Sequence, residues 1–263
     1  MTDRVRLGSV TLRLRDEGTG PVALLLHGFP TSHELWDGVF PHLVAAGYRA
    51  VAPDLLGYGR SDAPADGLDM ASQAALMVDL LDTLGIPRAA LIAHDVGTAA
   101  AQILAAREPT RIRGLVLIDG VCGDRWAMDA VRSIQSWDPA NAARLAPVLS
   151  RTLREPGLNA EALRSMLDHY KGLEGGLRLI RAARALDPQQ TVGVAEQVHA
   201  AGIASLVLWG DADRYLDPRE VGAPLAHLLG AELRLLSGGH FLPLAAPADV
   251  AQAVTAFFNS LPE

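Results

Sequence analysis

A single cysteine stands among the 263 residues. Cys122 excludes an intrachain disulfide and suits a reducing compartment; with no base paired to it, it reads as a small inert apolar residue. No uninterrupted apolar stretch approaches the roughly 18 residues that span a bilayer. The opening "MTDRVRLGSV" has no apolar signal core. These absences predict a cytoplasmic protein without a membrane partner. No block of Lys and Arg occurs and the formal net charge is −7, which argues against a nucleic-acid partner. Arg4, Arg6, Arg13 and Arg15 alternate near the start, as on the wet face of a hairpin. The eight histidines show no HExxH or comparable spacing, so no metal is expected. "LLGYGRSD" carries glycines without a Walker or dinucleotide pattern, so Gly57 and Gly59 read as turn residues and no cofactor is expected. Repeats, low-complexity tracts and long linkers are also missing.

What is present is an alternation. "VTLRLRD" has the polar-apolar rhythm of an exposed strand, whereas "VALLLHG" is continuously apolar, as in a strand covered on both faces. "YRAVAPD", "AALIAHD", "GLVLIDG", "ASLVLWG" and "AELRLLSGG" repeat the second pattern, each ending in Asp, His or Gly. Helical candidates lie between, over 70–84 and 97–107. Gly85 and Pro87 stop the first, and Pro109 follows the second. The expected fold is α/β, with a mostly parallel, doubly wound sheet that binds ligands at the carboxyl ends of its strands. The rhythm breaks over 121–200, where Trp126, Trp137, His169 and Tyr170 lie in helical patterning without a convincing strand. The expected organisation is a core of 1–120 and 201–263 with a helical cap inserted at 121–200.

Four short segments fall at strand ends: "HGFP" (27–30), "AHDVG" (93–97), "WGDAD" (209–213) and "GGHF" (238–241). Nucleophile, acid and histidine in that chain order resemble the α/β-hydrolase arrangement. With "PDLLGYGRSD" (53–62), the resemblance runs over nearly the whole chain, to the branch of epoxide hydrolases and haloalkane dehalogenases. It implies that Asp95 is a nucleophile. A carboxylate with an ordinary pKa of roughly 3.9 is already anionic at neutral pH. It can displace a leaving group at saturated carbon, leaving an alkyl ester. His240 then activates the water that cleaves the ester. The alternative is a decayed serine enzyme in which Asp95 merely caps the following helix. Asp213 is the preferred acid behind His240, with Asp119 and Asp211 as rivals. Backbone N–H groups of Phe29 and Val96 would form the oxyanion hole. Pro30 resembles the proline of an "HGxP" motif, whose preceding peptide bond is typically cis. His27 and His94 read as structural.

The resemblance thins in two places. Dehalogenases usually follow the nucleophile with Trp, or with Arg for haloacids, and place Asn where Phe29 stands; here the following residue is Val96. Epoxide hydrolases commonly use two cap tyrosines to protonate the epoxide oxygen. One lies in a "WYR"-like stretch whose nearest match here is "LIR", with Ile180 at the tyrosine's place. Tyr170 is the only tyrosine of 121–200, with His169 or His199 as a second donor. Expected substrate contacts are therefore Trp36, Trp137, His169 and Tyr170. Trp126 could line the cavity or anchor the cap, and Tyr215 could border the pocket rim. The favoured reading is an epoxide hydrolase acting on a small apolar organic substrate with water. The alternatives are a haloalkane or haloacid dehalogenase and a non-catalytic binder of small ligands.

Overall fold

The computed structural model describes residues 4–153, 155, 158 and 160–262. Eight strands form one sheet: β1 (Arg4–Leu7), β2 (Val10–Glu17), β3 (Val22–Leu26), β4 (Arg49–Pro53), β5 (Ala89–His94), β6 (Ile112–Ile118), β7 (Ser205–Gly210) and β8 (Glu232–Leu236). Their spatial order is β1-β2-β4-β3-β5-β6-β7-β8. β1 and β2 form an antiparallel hairpin, and β2 joins β4 antiparallel. From β4 onward every pairing is parallel.

The apolar runs explain this layering. All six residues of β5 are buried, as are four of the five in β3 and five of the six in β7. Such strands need cover on both faces, which the crossover helices supply. The helix Met70–Thr83 connects β4 to β5, its first turn held by the Asp69 carboxylate accepting from the Ala71 and Ser72 N–H groups. Gly97–Arg107 connects β5 to β6. β8 corrects one expectation. "AELRLLSGG" reads as a doubly covered strand, yet no β8 residue is fully buried and Leu235 is 52% exposed. β8 is the last strand of the sheet, with a neighbour on one side only.

Between β6 and β7 the chain leaves the sheet for a helical insertion. It includes Met128–Gln135, Leu145–Thr152, Ala160–Asp168, Gly172–Arg184 and Val194–Ala200, and its described residues contain no strand. Side chains tie it to the core. Ser165 Oγ donates to one Glu34 carboxylate oxygen at 3.0 Å, and His169 Nε2 lies 3.0 Å from the other. Arg178 donates to the Gly59 carbonyl at 2.6 Å. Among the described residues no helix is long and apolar enough to cross a membrane, and no group of three or more His, Cys, Asp or Glu is placed to hold a metal ion.

Candidate active site

β3 and β5 run side by side, Leu26 opposite Ala93, so the segments after them emerge at the same sheet edge. The chain proceeds from β3 to β4 on one side and returns to β5 on the other. This reversal opens a crevice at the strand ends. Asp95 takes a φ of 51° there, a conformation that costs a non-glycine residue energy and that surrounding structure must impose. Two glycines make the turn possible. A Cβ on Gly28 would lie 2.4 Å from the Asp95 Cβ, and one on Gly97 2.3 Å from the His27 carbonyl oxygen. The helix that follows begins at Gly97 with Val96 as its cap residue, so Asp95 stands one position too early to serve as its cap. Its Oδ1 accepts the Phe29 N–H at 2.8 Å, and the Val96 N–H also donates to the carboxylate. The Phe29–Pro30 peptide is cis.

The other two groups arrive from the far strands. His240, after β8, places Nε2 3.4 Å from Asp95 Oδ2, and its Nδ1–H donates to Asp213 Oδ2 at 2.9 Å. The second oxygen of Asp213 accepts the N–H groups of Tyr215 and Leu216 at 2.8 and 3.0 Å, fixing the carboxylate after β7. Burial alone would lower the pKa of His240. The charge and hydrogen bond of Asp213, and then Asp95, outweigh it and hold the imidazole well above its ordinary value. For Asp95, burial works to raise the pKa, but the hydrogen bond and charge of His240 bring it below that of a free carboxylate. Both shifts favour an anionic Asp95 against a cationic His240 in the free protein.

The rival acids are placed differently. Asp119 ends β6 with a φ of 45°; its Oδ1 accepts the Gly210 N–H at 2.7 Å, and its buried Oδ2 has no hydrogen-bond partner among the described residues. Burial raises its pKa well above the ordinary range and so disfavours the anion that would balance an imidazolium. Asp211 is exposed and accepts the Gly238 N–H. His27 and His94 are fully buried, and burial lowers both to about 4. Neutral His27 accepts the Leu55 N–H and donates to the Gly28 carbonyl; neutral His94 donates to the His240 carbonyl. Both brace the backbone around the site.

Above Asp95 and His240 lies a cavity of about 300 Å³. Phe29, Val96 and Phe241 line it from the core; Val131, Ile134 and Leu149 line it from the insertion. Trp137 lines it, but its indole N–H is committed to the Asn141 carbonyl at 3.1 Å. Trp126 lines it too, donating to the Gly123 carbonyl and Thr191 Oγ1, both at 3.0 Å.

Three expected substrate contacts lie elsewhere. Tyr170 is fully buried outside the cavity, where its hydroxyl donates to the Thr31 carbonyl at 3.3 Å and accepts the Gly59 N–H at 3.4 Å. His169 is committed to Glu34, and Trp36 is a fully buried core residue. His199 bonds the Leu229 carbonyl, and Ile180 is buried in the insertion. The tyrosine that does line the cavity is Tyr215. Its place two residues beyond Asp213 on a strand-end loop is the sequence feature that points to it. The apolar lining of 131–149 was visible only as Val131 and Ile134, and Leu145 and Leu149, at helical spacing.

Comparison with known proteins agrees with this architecture. The chain is 36% identical to a haloalkane dehalogenase of Mesorhizobium japonicum over 53% of its length and 42% of that protein's. It therefore spans less than half of that relative. With an epoxide hydrolase of Caballeronia sordidicola it shares 25% identity over 98% of this chain and 93% of the other. The solved structure of Cfl2 from Burkholderia cenocepacia superposes with a TM-score of 0.82 at 28% identity, covering 97% of this chain and 94% of that one. A model of the alpha/beta hydrolase fold family matches residues 21–247, and with the sheet order and strand-end site described above, the chain belongs to the α/β-hydrolase fold family.

Proposed function

We propose that the chain is a hydrolase that opens epoxides through an alkyl ester on Asp95, with 121–200 acting as a cap over the reacting groups. The observation that carries this reading is the setting of the Asp95 carboxylate. One oxygen is fixed by the Phe29 N–H at 2.8 Å, and the other faces His240 Nε2 at 3.4 Å. A carboxylate so held is a nucleophile for saturated carbon; attack on an ester would give a mixed anhydride instead.

In the first step Asp95 Oδ2 attacks an epoxide carbon and the ring C–O bond breaks. The ester that forms is neutral, so His240 loses one of the two negative charges that keep it protonated. Its pKa falls, it releases its proton to balance the one taken up by the opened-ring oxygen, and neutral imidazole becomes available as a base. His240 then takes a proton from water, and the hydroxide attacks Asp95 Cγ. The N–H groups of Phe29 and Val96 stabilise the resulting oxyanion, and collapse releases a vicinal diol and the aspartate. Asp213 holds His240 in the Nδ1–H tautomer and balances its charge.

The leaving group is argued from the cavity. A departing halide needs hydrogen-bond donors, which in the dehalogenases that the sequence resembles are side-chain N–H groups such as that of the Trp after the nucleophile. Both tryptophan N–H groups at the cavity are given to protein oxygens, and Val96 offers no side-chain donor. The test is intact-protein mass spectrometry of His240→Gln with a panel of epoxides and haloalkanes, and Asp95→Asn/His240→Gln as the control. A whole-epoxide adduct mapped to Asp95 is expected. An alkyl adduct without halogen would reassign the protein as a dehalogenase. Silence across the panel, with saturable ligand binding, would point to the non-catalytic binder.

A further inference from the structure

Ring opening makes an alkoxide, and an alkoxide in an apolar cavity needs a proton donor beside it. We infer that Tyr215 supplies that proton, so that the acid loop delivers both the support of His240 and the donor for the epoxide oxygen. This rests on the epoxide reading above.

The inference follows from an inventory of the cavity wall. Asp95 is the nucleophile, and His240 Nε2 faces Asp95 Oδ2 at 3.4 Å. Among the described residues five other side chains there carry a polar hydrogen: Trp126, Ser133, Trp137, Thr152 and Tyr215. Both indoles are committed. Thr152 Oγ donates back to its own helix, at the Val148 or Leu149 carbonyl, and Ser133 already has an interaction partner. The Tyr215 hydroxyl makes no hydrogen bond among the described residues. Its ring lies against His240, centroids 5.2 Å apart, and against Phe241 at 6.4 Å. Its backbone N–H is bonded to Asp213 Oδ1 at 2.8 Å, so the carboxylate that orients the base also fixes the tyrosine. Burial raises the phenol's pKa, the charges of Glu155 and Asp213 add to the rise, and Arg214 offsets part of it. The phenol therefore keeps its proton until an alkoxide forms.

The protons balance. Asp95 forms a C–O bond as the ring C–O bond breaks, and the alkoxide takes the Tyr215 proton, leaving tyrosinate. Once the ester has removed the Asp95 charge, His240 gives up its proton, which restores the phenol; neutral His240 regains one from the water it activates, and ester plus hydroxide gives diol and aspartate. Epoxide plus water gives diol, and the enzyme is unchanged. Because the rest of the described wall is apolar or committed, the substrate class is an epoxide on a hydrocarbon skeleton without further polar groups.

The test compares the rate at which styrene oxide alkylates Asp95 in His240→Gln and in His240→Gln/Tyr215→Phe, followed by intact mass. At saturating epoxide the His240→Gln/Tyr215→Phe double variant should be slower by about 100-fold or more, with the half-saturating concentration nearly unchanged. Tyr170→Phe in the same background, its hydroxyl bonded outside the cavity, should stay within about threefold of its parent. A Tyr215→Phe rate equal to the parent's would overturn the assignment while leaving the epoxide reading intact. Failure of His240→Gln itself to form any epoxide adduct would overturn both. Should Tyr215→Phe not fold, 3,5-difluorotyrosine at 215 keeps the ring and hydroxyl but loses its proton at lower pH. The groups facing this phenol are His240, Asp213, Glu155 and Arg214. The alkaline fall in alkylation rate should move to lower pH with the fluorinated residue, and an unmoved profile would overturn the assignment.

Discussion

The strand-end site and the helical insertion above it answer to different rules. At the sheet edge each candidate group is the product of short-range sequence: an apolar run, then Asp or His, with glycine where the backbone must turn. Register between adjacent parallel strands does the rest, because Leu26 opposite Ala93 brings Phe29 to Asp95 without further specification. In the insertion, helices carry side chains around a 100° period, and which face meets the cavity depends on how several short helices pack. A tyrosine in that region can point into the cavity, into the core or outward from one sequence pattern. Tyr170 points into the core.

The largest expected effect lies at the centre of the strand-end site. Asp95→Ala should reduce turnover by at least about 10⁴-fold while the protein stays folded by circular dichroism; a smaller loss would mean that the edge geometry is not the source of the chemistry. The next sharpens the choice between two buried aspartates on neighbouring strands. Asp213→Asn should cost roughly 10³-fold in kcat, because His240 loses the anion that orients and charges it. Asp119→Asn should cost only a few-fold, because Asp119 bonds the Gly210 N–H rather than His240 and burial disfavours its charged form. Equal losses would erase the distinction between them.

A stability effect comes next, at the second buried His–Asp pair. Asp54 accepts the His33 N–H at 2.8 Å and meets His33 Nδ1 at 2.7 Å. Burial pushes its pKa up, but the His33 hydrogen bond and charge, then His27 and the Arg60 N–H, bring it to about 2. The folded-state value is depressed, so the stabilisation is complete above the unfolded value of roughly 3.9 and lost as pH falls through about 2. Asp54→Asn should lower unfolding free energy by about 2 kcal/mol at pH 7, with the gap closing towards pH 2 in denaturant titrations. The smallest effect belongs to the insertion's attachment. Glu34→Gln weakens the contact with His169 and Ser165, and should cost under about 1 kcal/mol with kcat within a few-fold.

Much of the fold was legible because the strands are doubly covered and read as apolar runs, with Gly and Pro marking the helix ends. β8 misled because an edge strand can be as apolar in sequence as a buried one. The choice of Asp213 was legible only as a preference, since Asp119, Asp211 and Asp213 all follow strands. Its hydrogen bond to His240 depends on a loop of six described residues between Gly210 and Asp217, which no local pattern encodes. Trp36 and His169 were misplaced for the same reason as Tyr170: their burial is decided by elements distant in sequence.

The ester on Asp95 is the central claim, and isotope transfer reports on it directly. Turnover of an epoxide by the wild-type protein in H₂¹⁸O should place ¹⁸O in the Asp95 carboxylate, because water attacks Cγ and the diol leaves with the original carboxylate oxygen. Mass analysis of the peptide holding Asp95 should show that label accumulating with turnover number. Diol carrying ¹⁸O from the first turnover, with an unlabelled Asp95, would mean direct attack of water on the epoxide and would contradict the account.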